Sequence, residues 1–343
     1  MAFTNNKRTF WAVEAIGTAP DGTAESTGTY NHVPGVQSVG VSVNFNLEQI
    51  FQLGQLEIYQ DLEDIPDVEL TVEKVIDDTC LMYVRCVDPG AFAGKKELTV
   101  IQDNKVDIMF EVHNTDNDNT GDANALQAAY MSGMFVSSVN FNFGTDGFFT
   151  ESITLVGNHQ KWFAPAATMA SSPSAVGGID AGDVARRQNF SFADIANVPE
   201  PVKTIGGNLD DLRISSISVS TDLGREEMFS LGERQAYHRF VTFPIEVTCD
   251  IEAYVTDVED MAFNALPEAD NVSSDQHIKF QVDDPAVTDI LNAAIALHTF
   301  DLGEKNTLSS ITWNGLSTDG TNATVTYSYR NFNKLDITST ATA

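Results

Sequence analysis

The run Asp116-Asn117-Asp118-Asn119-Thr120-Gly121-Asp122 offers the strongest metal chemistry in the chain, because it spaces side-chain oxygens ahead of a glycine as a calcium loop does in its first half. Such a loop also needs a bidentate Glu at its twelfth position, and Gln127 stands there with a single neutral oxygen. A polar loop capping a helix that begins near Asp122 accounts for the run better, with a weakly held ion at Asp116–Asp122 as the alternative. Gly90-Ala91-Phe92-Ala93-Gly94-Lys95-Lys96 has the glycines and lysines of a phosphate loop. It has one residue too few between the glycines and lacks the Ser or Thr that holds magnesium, so it reads as a turn with its lysines in water. His32, His113, His159, His238, His277 and His298 fall in no zinc or triad spacing, and neither H-E-x-x-H nor G-x-S-x-G occurs. Cys80, Cys86 and Cys249 show neither a disulfide framework nor paired ligand spacing and read as small core residues. Paired carboxylates are plentiful, but in so acidic a chain their proximity says little about acid and base roles. No catalytic, cofactor-binding or metal residue is assigned, no cofactor is expected, and the chain is not expected to be an enzyme.

What the sequence does carry is a repeat. Phe51-Gln52-Leu53-Gly54 returns as Phe229-Ser230-Leu231-Gly232, and at the same offset of 178 residues Ser38, Val39, Val41, Ser42 and Glu48 meet Ser216, Ile217, Val219, Ser220 and Glu226. Further matches follow in order with drifting offsets. Val68-Glu69-Leu70-Thr71 aligns with Ile245-Glu246-Val247-Thr248, Ile108-x-Phe110-x-Val112 with Ile278-x-Phe280-x-Val282, Leu126-Gln127-Ala128-Ala129 with Leu291-Asn292-Ala293-Ala294, and Ser137-Ser138-Val139 with Ser309-Ser310-Ile311. The chain is expected to hold a first domain over residues 1–165, a linker over 166–205 that is long enough for part of it to dock, and a second domain over 206–343.

Each copy is expected to be mainly β, an antiparallel sandwich or barrel with one flanking helix. Val39 to Asn46, Val68 to Glu73 and Ile245 to Ile251 alternate apolar and polar residues as half-buried strands do. Asp146-Gly147 and Asp319-Gly320 sit between alternating runs, where Asp-Gly supplies the positive φ of a tight hairpin. The Ala- and Leu-rich stretches Asp122 to Met131 and Pro285 to His298 predict the helices, the second with Asp284 as N-cap and Pro285 at the first helical position.

Of the 343 residues, 49 are acidic and 19 basic, giving a formal net charge of −30. Nucleic-acid readers and membrane-surface binders need Lys and Arg, so both classes are disfavoured. The acids are concentrated, nine in residues 55–78 and eight in residues 245–270. No run approaches the ~20 apolar residues of a membrane span, and the start lacks a basic leader, so folding in the cytoplasm is expected.

The segment from Val39 to Gly54, with its Asn-Phe-Asn turn and Phe-x-Leu-Gly, followed by Pro66-Asp67-Val68-Glu69-Leu70-Thr71-Val72-Glu73-Lys74, resembles tail tube proteins of tailed bacteriophages. The hairpin Phe135 to Val139, then Thr145-Asp146-Gly147 and Thr150-Glu151-Ser152, looks like the one that ends in a Thr-Glu-Ser strand in that family. The resemblance covers about residues 35–160 and implies a fold related to the inner tube of type VI secretion systems, with rings that stack into a hollow tube and strands that continue between subunits. A duplicated domain implies a trimer imitating a hexamer, with tape-measure and other tail proteins as partners, DNA passing unbound through the lumen and a place in the virion. The acids then acquire a role in a lumen that must not hold phosphate, and Arg225, Arg234 and Arg239 are expected at contacts between rings. The alternatives are a tail-terminator, sheath-associated or decoration protein, and a calcium-dependent sandwich binding module.

Overall fold

The computed structural model describes residues 12–23, 29–54, 56–101, 103–113, 127–163, 183–192, 194–199, 201–203, 213–232, 236–255, 276–285, 295–315 and 323–340. The first half runs β1 (Ala12–Pro20), β2 (Asn31–His32), β3 (Val36–Asn44), β4 (Leu47–Phe51), β5 (Ile58–Glu63), β6 (Asp67–Val75), α1 (Met82–Val87), β7 (Gly94–Glu97), α2 (Leu98–Ile101), β8 (Val106–His113), β9 (Gln127–Gly144), β10 (Thr150–Gly157) and β11 (Gln160–Phe163). The second runs β12 (Phe190–Ser191), β13 (Ile214–Asp222), β14 (Arg225–Phe229), β15 (Ala236–Val241), β16 (Glu246–Tyr254), β17 (Lys279–Asp283), β18 (Ala296–Asp301), β19 (Thr307–Asn314), β20 (Thr324–Phe332) and β21 (Asp336–Ser339).

The expected mainly antiparallel β architecture is present, and one sheet dominates it. Its strands lie in the order β19-β20-β16-β13-β9-β10-β6-β3, so four strands of the second half continue directly into four of the first through the β13–β9 pair. The order within each four is the same. Even the irregularities recur: β3 against β6 and β13 against β16 skip a residue at Gln37 and Ser215, and the β9–β10 and β19–β20 hairpins skip one at Ser137 and Ser309. A bulge sits where one strand carries an extra unpaired residue, and its recurrence fixes the correspondence of the halves residue by residue. On that correspondence Val43 and Thr221 pair with Val68 and Val247, so Val68 matches Val247 and lies two residues away from the Ile245 with which the sequence aligns it.

Behind this sheet, the N-terminal part of β9 pairs with β8 and β11, and β8 with β1; in the second half a separate sheet runs β12-β17-β18-β21-β7. Phe143 of β9 meets Phe280 and Phe300 of that second sheet at 5.2 and 5.3 Å, and Phe141 meets Phe300 at 5.0 Å. Edge-on rings at this spacing add to the burial of their area. One cluster of buried residues runs without a break from Ile16 to Ile337, so both halves contribute to the same core. Val184 bridges Asp77, and Phe190 and Ser191 pair with Val282 and Gln281, within the stretch expected to be a linker.

The helices are not where the sequence puts them. Gln127 to Met131, expected as the end of the Asp122 to Met131 helix, begin β9; Ala296 to His298, expected as the end of the Pro285 to His298 helix, begin β18. Residues 122–126 and 286–294 lie outside the described residues, as do Asp116 to Gly121 and the Asp319-Gly320 turn. The reason at β9 is steric. Ala129 lies between Phe110 of β8 and Trp162 of β11, whose rings meet edge-on at 5.3 Å over its methyl group. Alanine is there because two large neighbours need the space, and tertiary packing overrides its helix propensity. The helix that does pack on the core of the first half is α1, entirely buried, and the Glu151 carboxylate of β10 accepts its first amides, Met82 N at 2.7 Å and Tyr83 N at 2.6 Å.

Candidate functional site

Of the residues singled out from the sequence, His159 and His238 line one open pocket with Asp21, Lys105, Tyr130 and Arg239, and among the described residues no three potential metal ligands stand together. Lys95 pairs with Glu97 and Asp336 at 2.7 Å each, and Lys96 with Asp88 at 2.5 Å. Lys96 is buried, which corrects the expectation that both lysines face water; the pair belongs to β7, which extends the sheet of the second half. Cys80, Cys86 and Cys249 are all buried, and burial pushes the Cys80 thiol up to about 12, so it is no nucleophile at neutral pH.

The surfaces of the long sheet carry the distinctive chemistry instead. Because side chains alternate across a strand, burying one face commits the other to solvent. The buried face takes Val68, Leu70 and Val72 of β6, Phe141 and Phe143 of β9, and Val247, Cys249 and Ile251 of β16. The outward face takes Ser38 and Ser42 of β3, Glu69, Thr71 and Glu73 of β6, Ser152 and Thr154 of β10, Asn140 and Asn142 of β9, Ser216, Ser218 and Ser220 of β13, Glu246, Thr248, Asp250 and Glu252 of β16, and Thr326, Ser328 and Arg330 of β20. It is a field of short hydroxyls and amides set with carboxylates, which Arg330 only partly offsets. The hydroxyls hold the acids in place: Ser38 donates to Glu73 at 3.2 Å, and at the corresponding position Ser216 donates to Glu252 at 3.2 Å. A face of net negative charge, with a single arginine among those carboxylates, repels a polyanion and offers it little to hold.

Two ribbons leave the sheet. β4 and β5 form one, β14 and β15 the other, each an isolated two-stranded pair with a bulge at the same place. Their turns carry glycines at positive φ, Gly54 at 90° and Gly232 at 94°, as the reversal requires. Near those turns Phe51, Leu53 and Leu56 in one ribbon and Met228, Phe229 and Leu231 in the other are exposed, the leucines fully. An isolated two-stranded hairpin is marginal in water, and these expose apolar tips twice over.

The second ribbon is the more firmly anchored. Arg225 donates to Val136 O at 2.6 Å and Arg239 O at 3.1 Å and stacks over Phe135 at 4.8 Å; Arg239 reaches Asp67 at 3.1 Å and also pairs with Glu227. Burial lowers the Arg225 guanidinium to about 10, still charged at neutral pH. Both arginines therefore bind within the chain, the ribbon of the second half to strands of the first, which corrects their expected place at contacts between rings; Arg234 lies outside the described residues. The repeat carries no sign of this, because the first half has Leu47 where the second has Arg225.

A buried polar cluster ties the halves together as well. Lys74, fully buried, donates to Asp77 at 2.7 Å, Val75 O at 3.1 Å and Thr79 at 3.2 Å. His298 of the second half is fully buried close to it, and burial first, then the Lys74 charge, lowers its pKa to about 4. Burial raises the Glu151 pKa, against the pull of the Tyr83 amide, Lys74 and the Met82 amide.

No family model and no curated protein matches the chain. Among solved structures it is similar to the tube-terminating cap of the anti-feeding prophage, at 13% identity over 48% of this chain and 95% of that one, with a TM-score of 0.32. It is also similar to a chain of the sheath-tube complex of an extracellular contractile injection system, PVC, in its extended state, at 13% identity over 46% of this chain and 93% of that one, with a TM-score of 0.32. A type six secretion system protein is similar at 15% identity over 44% of this chain and 83% of that one, with a TM-score of 0.25. Scores of this size assign no role to any residue.

Proposed function

We propose that this chain is a structural protein of a phage tail or a related injection apparatus, two tandem copies of one tube-type domain that polymerise into stacked rings around a channel. Three chains then supply six quasi-equivalent domains, and closed cyclic symmetry makes that ring nearly equivalent to a hexamer of single domains. The outward face of the long sheet lines the channel, where its carboxylates and short hydroxyls let DNA slide without sticking. The protein performs no catalysis, resides in the virion and meets other tail proteins at the tube ends.

The observation that carries this reading is the pair of ribbons with exposed Leu53 and Leu231 at equivalent tips. On a molecule of net charge −30, apolar groups so placed invite contact with further copies. The acidic sheet face supports it, and so does the resemblance of residues 35–160 to tail tube proteins. Electron microscopy of the purified full chain tests it, with stacked rings or tubes expected. Dispersed monomers at every salt and protein concentration overturn it, and single rings that never stack favour a terminator.

A further inference from the structure

The long sheet contains its own template for a contact between chains. Its middle joint pairs β13 of the second half with β9 of the first, and among the described residues its two open edges are β3 and β19. On the residue correspondence fixed by the bulges, β3 is the counterpart of β13 and β19 the counterpart of the paired part of β9. The two edges left open at the ends of the sheet are thus the same two surfaces that are already joined at its centre. We infer that β3 of one chain pairs antiparallel with β19 of a second copy, in the register of the β13–β9 joint. This rests on the proposal that the chain assembles with itself, and it adds which strands meet, in which direction and at which residues.

The register follows by transfer. Val219 opposite Phe141, Ser220 opposite Asn140, Thr221 opposite Val139 and Asp222 opposite Ser138 become Val41 opposite Trp313, Ser42 opposite Thr312, Val43 opposite Ile311 and Asn44 opposite Ser310. The apolar character is kept on the same face and the polar character on the other. Burial shows what the edges lack: Val219 and Phe141 are 0% exposed at the joint, whereas Val41 and Trp313 are each 37% exposed at the open edges. A valine and a tryptophan pointing to the core side of a sheet are left half in water where their counterparts are sealed, and a second copy seals them in register. Beyond the strand, the amide of Leu223 donates to Ser137 O at 2.8 Å, which assigns Phe45 N to Ser309 O of the next chain. Leu47 then falls beside Leu308 where Arg225 reaches Val136 O, so the contact between chains is more apolar than the one within.

The pairing is head to tail, with β3 never meeting β3, and this separates it from a twofold dimer. Full-chain variants with one added cysteine, Ser42→Cys and Thr312→Cys, place thiols on the outward face at directly opposed positions; the native cysteines are buried. Mixed and treated with a short bis-maleimide, the two variants are expected to give a Ser42Cys–Thr312Cys cross-link identified by peptide mass, while either alone gives none. Val41→Asp, at a half-exposed position, is expected to keep the wild-type circular dichroism and to lose assembly. Cross-linking of Ser42→Cys to itself, or tubes in the microscope without the mixed cross-link, overturns the pairing while leaving the tube reading intact. Cross-linked rings that never form tubes support the pairing and count against the tube; full assembly by a folded Val41→Asp chain overturns the pairing as well.

Discussion

At the scale of single residues, the buried cluster around Lys74 sets how the protein answers to mutation and acid. Lys74→Met strips Asp77 of its ion-pair partner in a dry site, and the cost is expected to be about 3 kcal/mol in denaturant unfolding, because the carboxylate left behind keeps only the Thr79 amide and hydroxyl within hydrogen-bond reach. The double variant with Asp77→Asn is expected to recover much of it. His298 works in the opposite sense from a paired histidine. Its folded pKa of about 4 lies below the ordinary histidine value of 6.5, so the folded protein keeps it neutral while the unfolded chain takes up a proton as pH falls below 6.5. Stability is therefore lost from pH 6.5 down to about 4, and the loss between pH 7 and pH 5 is expected to be about 2 kcal/mol. His298→Gln removes that slope, which parallel unfolding curves at pH 7 and pH 5 measure; an unchanged slope shows the acid sensitivity to lie elsewhere. Only part of this is legible in the sequence: the alternation of Val68, Leu70 and Val72 puts Lys74 on the inward face, but nothing local names Asp77 or His298 as what it meets there, and His298 reads as the end of a helix.

At the scale of elements, the ribbons separate folding from assembly. Leu53 and Leu231 are fully exposed among the described residues, so Leu53→Asp and Leu231→Asp are expected to change unfolding free energy by no more than about 0.5 kcal/mol. The same variants are expected to abolish stacking, measured by sedimentation; normal tubes from the double variant would show the tips to be idle. Conversely Ala129→Leu leaves the ribbons alone but wedges a side chain under the Phe110–Trp162 contact, and overpacking of that kind is expected to cost about 1–3 kcal/mol. Ribbons, long strands and the Asp146-Gly147 hairpin were readable because turn glycines and period-two alternation are local signals. The helices were misread for the converse reason. Whether Ala128 and Ala129 form a turn of helix or fill a gap between Phe110 and Trp162 depends on strands far away in the chain. The short helix Met82–Val87 is held by Glu151, and no nearby residue announces it.

At the scale of the whole molecule, the charge opposes the proposed assembly. Chains of net charge −30 repel one another, and the Debye length falls from ~10 Å at 0.1 M salt to ~3 Å at 1 M. Polymerisation is expected to strengthen as salt is added, because Arg225 and Arg239 are already engaged within the chain. Steady weakening of light scattering with salt would show charge pairing to be the attractive force. The repeat made the strand order legible in outline, but the direct joining of the halves was not, since β9 and β13 carry no mark of choosing each other. In the proposed ring, that joint changes the mass action of closure. Six separate domains close a ring through six encounters, each diluted by solvent; three chains that already hold one joint apiece need three. The covalent link supplies the others at an effective concentration of order millimolar whatever the amount of protein present, so the dilution at which rings fall apart is set by half as many independent events.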